Sequence, residues 1–181
     1  MTTEMWIIAA VRVLGALPVL RWPLVGAVIA LLTDLSDLFL MDLLHLGGVR
    51  NYQAFDKWLD QAYLLTFLAA AQRWEPTPRK IALGLYVYRL VGFTVFEVTG
   101  ARDLLLFFPN VFEFWFIFVA GAVHVRPGFN YSAPNTAAVL VVLLGAKEFQ
   151  EYALHYARWL DSFTSVEAVR AIWEWLTSPL G

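Results

Sequence analysis

Residues 33–60 read TDLSDLFLMDLLHLGGVRNYQAFDKWLD, with five aspartates: Asp34, Asp37, Asp42, Asp56 and Asp60. The surrounding chain of 181 residues is 60% hydrophobic and only 15% charged. The leucine-rich half of the stretch ends an apolar run, Gly47 and Gly48 break it, and a second run begins near Phe55. Two antiparallel helices joined by a short bend are the expected result, and the rest of the chain repeats that pattern.

Working outward, apolar stretches approach the length a bilayer requires and are separated by short polar breaks, with a mean hydropathy of +0.61. The fold class expected is all-α, a single integral membrane domain over residues 1–181 built as a polytopic helical bundle. About six transmembrane spans fall at residues 6–20, 23–44, 55–74, 79–98, 104–123 and 135–159. Arg12 and Pro18 interrupt the first, which reads as a retained helix because Glu4 and Arg12 fit a cleaved signal peptide poorly. Residues 75–78 are expected as a turn, Thr99-Gly100 as a helix end, and 124–134, including His124, as a loop. Val166, Val169, Ile172, Trp173 and Leu176 recur at helical spacing, so residues 165–176 are expected as an amphipathic helix on the membrane surface.

Composition excludes several function classes. A net charge of -2 with scattered Lys and Arg gives no nucleic-acid surface, and the lack of cysteine removes disulfides and thiolate metal sites. No glycine loop for phosphate and no nucleophile elbow is present. Basic residues near span ends are balanced, Arg50, Lys57, Arg102, Arg158 and Arg170 against Arg21, Arg73, Arg79, Lys80 and Arg126, so they set no orientation. An even number of spans does place both termini on the side of the 44–55 connection, near the aspartates.

Asp34 and Asp37 are three residues apart and Asp56 and Asp60 four apart, so each pair occupies one helix face, and antiparallel packing lets the four converge. One charged aspartate at the centre of a bilayer costs about 2.5–3.5 kcal/mol, and crowding like charges adds to that. Hard divalent cations, Mg²⁺ or Mn²⁺ with Ca²⁺ as a further option, are the expected neutralisers because they prefer carboxylate oxygens. Lys57 and Arg50 are available to assist; the plainer reading is capping or arginine pairing of individual aspartates. Asp42 lies off the paired face and is expected in solvent.

The stretch resembles the motif of the CDP-alcohol phosphotransferases, membrane enzymes of phospholipid synthesis, D-x-x-D-G-x-x-A-R-x8-G-x-x-x-D-x-x-x-D. Asp34 and Asp37 stand at its first two aspartates, and Asp56 and Asp60 at its last two. VRVLGALP (Val11–Pro18) is similar to that family's first span and YVYRL (Tyr86–Leu90) to its fourth, so the resemblance covers about half of the chain. It implies a pair of divalent cations on Asp34, Asp37, Asp56 and Asp60, with Asp60 also the base that deprotonates an acceptor alcohol. It further implies a phospholipid or headgroup substrate at the cytosolic face of a bacterial or archaeal-type membrane. The sequence departs where the family grips cytidine: Leu38 replaces glycine, Met41-Asp42 replaces Ala-Arg, Tyr52 replaces glycine, and Asp37 to Asp56 is one residue longer. Bulk at Leu38 and charge at Asp42 oppose an ordinary CDP donor.

A second polar set lies on the later spans. Arg89, Glu113, Lys147, Glu151 and His155 are candidates for binding a phosphate or polar headgroup, or for a proton relay through Glu113, Glu151 and His155. The alternative is helix-fixing ion pairs, Arg89 with Glu113 and Lys147 with Glu151. Expected partners are membrane lipids, a nucleotide-linked or phosphate-bearing small substrate and, left open, a second copy in a homodimer. An ion- or proton-coupled carrier and a non-catalytic subunit of a larger membrane complex are the competing functions.

Overall fold

The computed structural model describes residues 1–44, 46–49, 51–100, 107–153 and 165–178. Every regular element among them is helical: α1 (Thr3–Ala16), a 3-10 turn (Leu17–Leu20), α2 (Pro23–Leu44), α3 (Tyr52–Ala71), α4 (Pro76–Thr99), α5 (Val111–Val125), α6 (Ala133–Glu151) and α7 (Ser165–Thr177). Each expected span overlaps a helix, but among the described residues only two helices have the length and hydropathy of a membrane crossing. Thr3–Leu20 and Pro76–Thr99, of 18 and 24 residues, are long and apolar enough to cross a bilayer. His45, Arg50, Arg102, residues 154–164 with His155 and Arg158, and the side chains of Leu38, Asp42, Val166, Val169, Ile172 and Leu176 lie outside the described residues.

Boundaries shift where local chemistry overrides hydropathy. Residues 76–78 are not a turn: Pro76 opens α4, with Glu75 as its N-cap, because the first helical position needs no N–H and suits proline's fixed φ. The fifth helix starts at Val111 rather than 104, since residues 107–110, with Pro109 among them, are not α-helical. His124 belongs to the last turn of α5, where its Nδ1 lies 2.8 Å from the Ala120 carbonyl, and is not in a loop. Gly100 ends α4 in the left-handed conformation, as the Thr99-Gly100 pair suggests.

The bend between α2 and α3 is built from positive φ angles at Gly47 (111°) and Gly48 (68°), which glycine adopts without steric cost. The N-terminus clamps this bend. Thr2 Oγ1 donates to the Gly48 carbonyl at 2.8 Å, and buried Glu4 accepts from the backbone N–H groups of Leu46 (2.8 Å) and Gly48 (3.1 Å). The amino terminus and the α2–α3 connection thus share one end of the bundle. α1 packs on both α2 and α3, and α3 to α6 follow as successive neighbours.

At the other end Phe67, Phe112, Trp115 and Phe116 are fully buried. Phe67 stacks on Phe116 at 4.2 Å between centroids, and Trp115 Nε1 donates to the Pro78 carbonyl at 3.1 Å, which satisfies the indole inside the core. Polarity is distributed inside out. Arg12, Asp37, Asp60, Arg89, Glu113 and Lys147 are buried, whereas Leu14, Val25, Leu32, Leu35, Val141 and Val142 are exposed.

Gly26 is where the turn after α1 meets α2, and a Cβ there would overlap the backbone of Pro18 and Val19, which cannot rotate aside. Gly26→Ala should therefore cost about 1–3 kcal/mol, seen as a lowered Tm in detergent. Gly84→Ala, which meets nothing within 4 Å, should leave Tm unchanged or raise it.

Candidate metal centre

Helices α1, α2 and α3 bring the paired aspartates together around one side chain, that of Arg12. Its Nη1 donates to Asp37 Oδ2 (3.1 Å) and Asp56 Oδ1 (2.9 Å), and its Nη2 to Asp60 Oδ1 (2.7 Å) and Asp34 Oδ1. The i,i+3 and i,i+4 spacings put each pair on the helix face turned to α1, and the antiparallel bend sets the two faces side by side. Lys57 adds bonds to Asp56 Oδ2 (2.8 Å) and, more loosely, Asp60 Oδ2 (3.4 Å).

The cluster has a floor and a mouth. Side-chain exposure is 1% for Asp37 and 2% for Arg12, but 29% for Asp34, 20% for Asp56 and 27% for Lys57. A small ion can reach Asp34 and Asp56 while Asp37 closes the inner end. Arg12 and Lys57 face four carboxylates, so the ionised cluster keeps two uncompensated negative charges. That excess equals the charge of one divalent cation. Oxygens of Asp34, Asp56 and Asp60 lie within 4.8 Å of one another and could hold a metal ion; as hard donors they suit Mg²⁺, Mn²⁺ or Ca²⁺. Asp37 Oδ1 and Arg12 Nε are buried with no hydrogen-bond partner, so the cluster has unused polar capacity at its floor.

The second polar set keeps one of the two ion pairs expected of it and replaces the other. Arg89 does not pair with Glu113: its Nη1 donates to the Phe108 carbonyl at 2.9 Å. Gly92 permits this, because a Cβ there would strike the Phe108 ring that packs against α4. Glu113 instead accepts from Tyr63 Oη and Asn110 Nδ2, both at 2.9 Å, while Asn110 Nδ2 also lies 3.2 Å from Tyr63 Oη. Lys147 forms the expected pair with Glu151 at 2.9 Å and donates to Gln150 Oε1 at 2.8 Å. Arg89, Glu113 and Lys147 are thus occupied by protein partners, and Tyr63, one turn beyond Asp60, links this network to the helix that carries half of the carboxylate cluster.

Arg12 as the hub, Glu4 as the clamp and Tyr63 as the link are not singled out by the sequence patterns. Arg12 stands alone in an apolar run, and Tyr63 carries no charge; a buried ionisable group within a span was the available signal for the first.

Tyr63→Phe keeps the ring and removes the donor to Glu113, leaving a buried carboxylate oxygen with one fewer partner. A loss of about 1–3 kcal/mol is expected, measured by chemical unfolding in detergent micelles, with a smaller change for Tyr88→Phe, whose hydroxyl donates to the Phe107 carbonyl at an exposed position midway along α4.

Comparison with known proteins returns no family model, no curated protein and no solved structure that matches this chain.

Proposed function

We propose that this protein is a multi-pass membrane enzyme that uses a divalent cation to act on a phosphate-bearing lipid or headgroup, a transferase of the CDP-alcohol phosphotransferase type. The observation that carries this reading is the grouping of Asp34, Asp56 and Asp60 within 4.8 Å at a partly open mouth, with two negative charges left over. A purely structural cluster would have to shed that surplus by keeping two of its carboxyls protonated. Each unpaired charge in a low-dielectric interior is costly, whereas a divalent cation would turn the excess into bonding.

The membrane setting is supported by the inside-out distribution of polarity. α2, at 22 residues, is about 33 Å long, enough for a ~30 Å hydrocarbon core. Its exposed Val25, Val28, Leu32 and Leu35 would face lipid while Asp34 and Asp37 turn inward to Arg12.

Asp34, Asp56 and Asp60 would hold the cation, which when bound would orient phosphate oxygens and offset charge developing on them. Asp37 anchors Arg12 at the floor, and Lys57 at the mouth is placed to meet an anionic group approaching from solvent. Asp60 is the candidate base for an acceptor hydroxyl. It lies deeper than Asp56, and Lys57 bonded to its Oδ2 helps to hold the carboxylate in one orientation. The donor need not be a cytidine nucleotide, given Leu38, Met41, Asp42 and Tyr52 at the positions that would receive it.

Isothermal titration of purified protein with Mg²⁺ or Mn²⁺ should show saturable binding. The double substitution Asp56→Asn with Asp60→Asn should weaken it at least a hundredfold, and binding that survives unchanged would remove the metal site. Turnover is checked separately, by Mg²⁺-dependent release of a phosphate-linked leaving group from CDP-diacylglycerol and from other activated phosphate donors; no turnover on any of them, despite binding, would favour a non-catalytic membrane subunit.

A further inference from the structure

Each of the three carboxylates that come within 4.8 Å of one another gives an oxygen to the same guanidinium. Arg12 therefore stands where a cation on Asp34, Asp56 and Asp60 would stand. A guanidinium and a divalent cation set among the same three carboxylates repel each other strongly where solvent screening is poor, so the two compete for the space between them.

Two leftover atoms indicate where the guanidinium goes. Asp37 is not one of the three grouped carboxylates, it is 1% exposed, and its Oδ1 has no partner. Arg12 Nε is likewise buried and unpartnered. Asp37 already holds Nη1 through Oδ2 at 3.1 Å. Once a cation takes over the Asp34 and Asp60 oxygens that hold Nη2, a turn of the guanidinium that brings Nε and Nη2 to Asp37 would pair the orphan donor with the orphan acceptor in a two-bond arginine–carboxylate pair. Charge balances at the same time: with a divalent cation on the outer carboxylates, Arg12 on Asp37 and Lys57 at the mouth, four negative charges meet four positive ones.

We propose that Arg12 is a displaceable placeholder: without divalent cation it holds Asp34, Asp56 and Asp60 together, and cation binding drives it onto Asp37. This rests on the reading of the cluster as a divalent-cation site. The device would let a buried acidic site fold and persist before it is loaded, and it would set cation affinity below what the bare carboxylates provide.

The test is Mg²⁺ titration of the full chain in detergent, comparing wild type, Arg12→Gln, Asp37→Asn and the double variant. Arg12→Gln should bind Mg²⁺ at least tenfold more tightly, and its Tm, low without metal, should rise more on adding Mg²⁺ than that of wild type. Asp37→Asn should weaken binding more in the wild-type background than in the Arg12→Gln background, because only the former needs a place for the guanidinium. Should Arg12→Gln fail to fold, ¹⁵N arginine NMR of wild type gives the same answer: the Nε–H signal of Arg12 should shift on Mg²⁺ addition. Wild type that binds Mg²⁺ with no gain in Arg12→Gln, or with an unmoved Nε–H signal, overturns the placeholder and leaves the metal site standing. No Mg²⁺ binding by any form overturns both.

Discussion

Four carboxylates gathered around one guanidinium are the constraint on which the rest of this structure depends. Arg12, buried on α1, would be untenable among apolar side chains without counter-charges, and Asp37 and Asp60 would be untenable without it. Mutual need fixes the relative rotation of α1, α2 and α3, since each must turn its charged face to the same point. Glu4 and Thr2 then tie the start of α1 to the α2–α3 bend, so that the helix carrying Arg12 is held in axial register with the helices carrying the aspartates.

From this centre polarity continues inward rather than outward. Tyr63 follows Asp60 by three residues on α3 and donates to Glu113 on α5, and Asn110 closes the triangle. The aromatic core of Phe67, Phe112 and Phe116 lies farther along the same helices. Both kinds of cohesion therefore join α3 to α5, and neither alone accounts for it: the ring contacts are non-directional, whereas the Tyr63–Glu113–Asn110 bonds select one rotation of α5 against α3.

How legible this was depended on the kind of signal. Helix positions were readable because apolar runs and Gly or Pro punctuation are local, and the misplacements at Pro76, Val111 and His124 all concern ends, where capping chemistry competes with hydropathy. The pairing of Asp34 with Asp37 and of Asp56 with Asp60 was readable for the same reason, since i,i+3 and i,i+4 spacing is a property of one helix. The partner of Glu113 was not: an ion pair with Arg89 satisfies charge equally well on paper, but Phe108, seated against Gly92, presents its carbonyl to Arg89 instead.

The sequence by itself determined that the protein is helical, that its acids sit in two facing pairs beside a glycine bend, and that something positive had to meet them. Only the tertiary structure decided what that positive group is. Arg12 is separated from Asp60 by 48 residues, and nothing in its local surroundings marks it as their partner. Coulombic attraction acts through space and not along the chain, so the identity of a counter-charge, the surplus that remains after it, and the orphan atoms at Asp37 and Arg12 become visible only once the helices have packed.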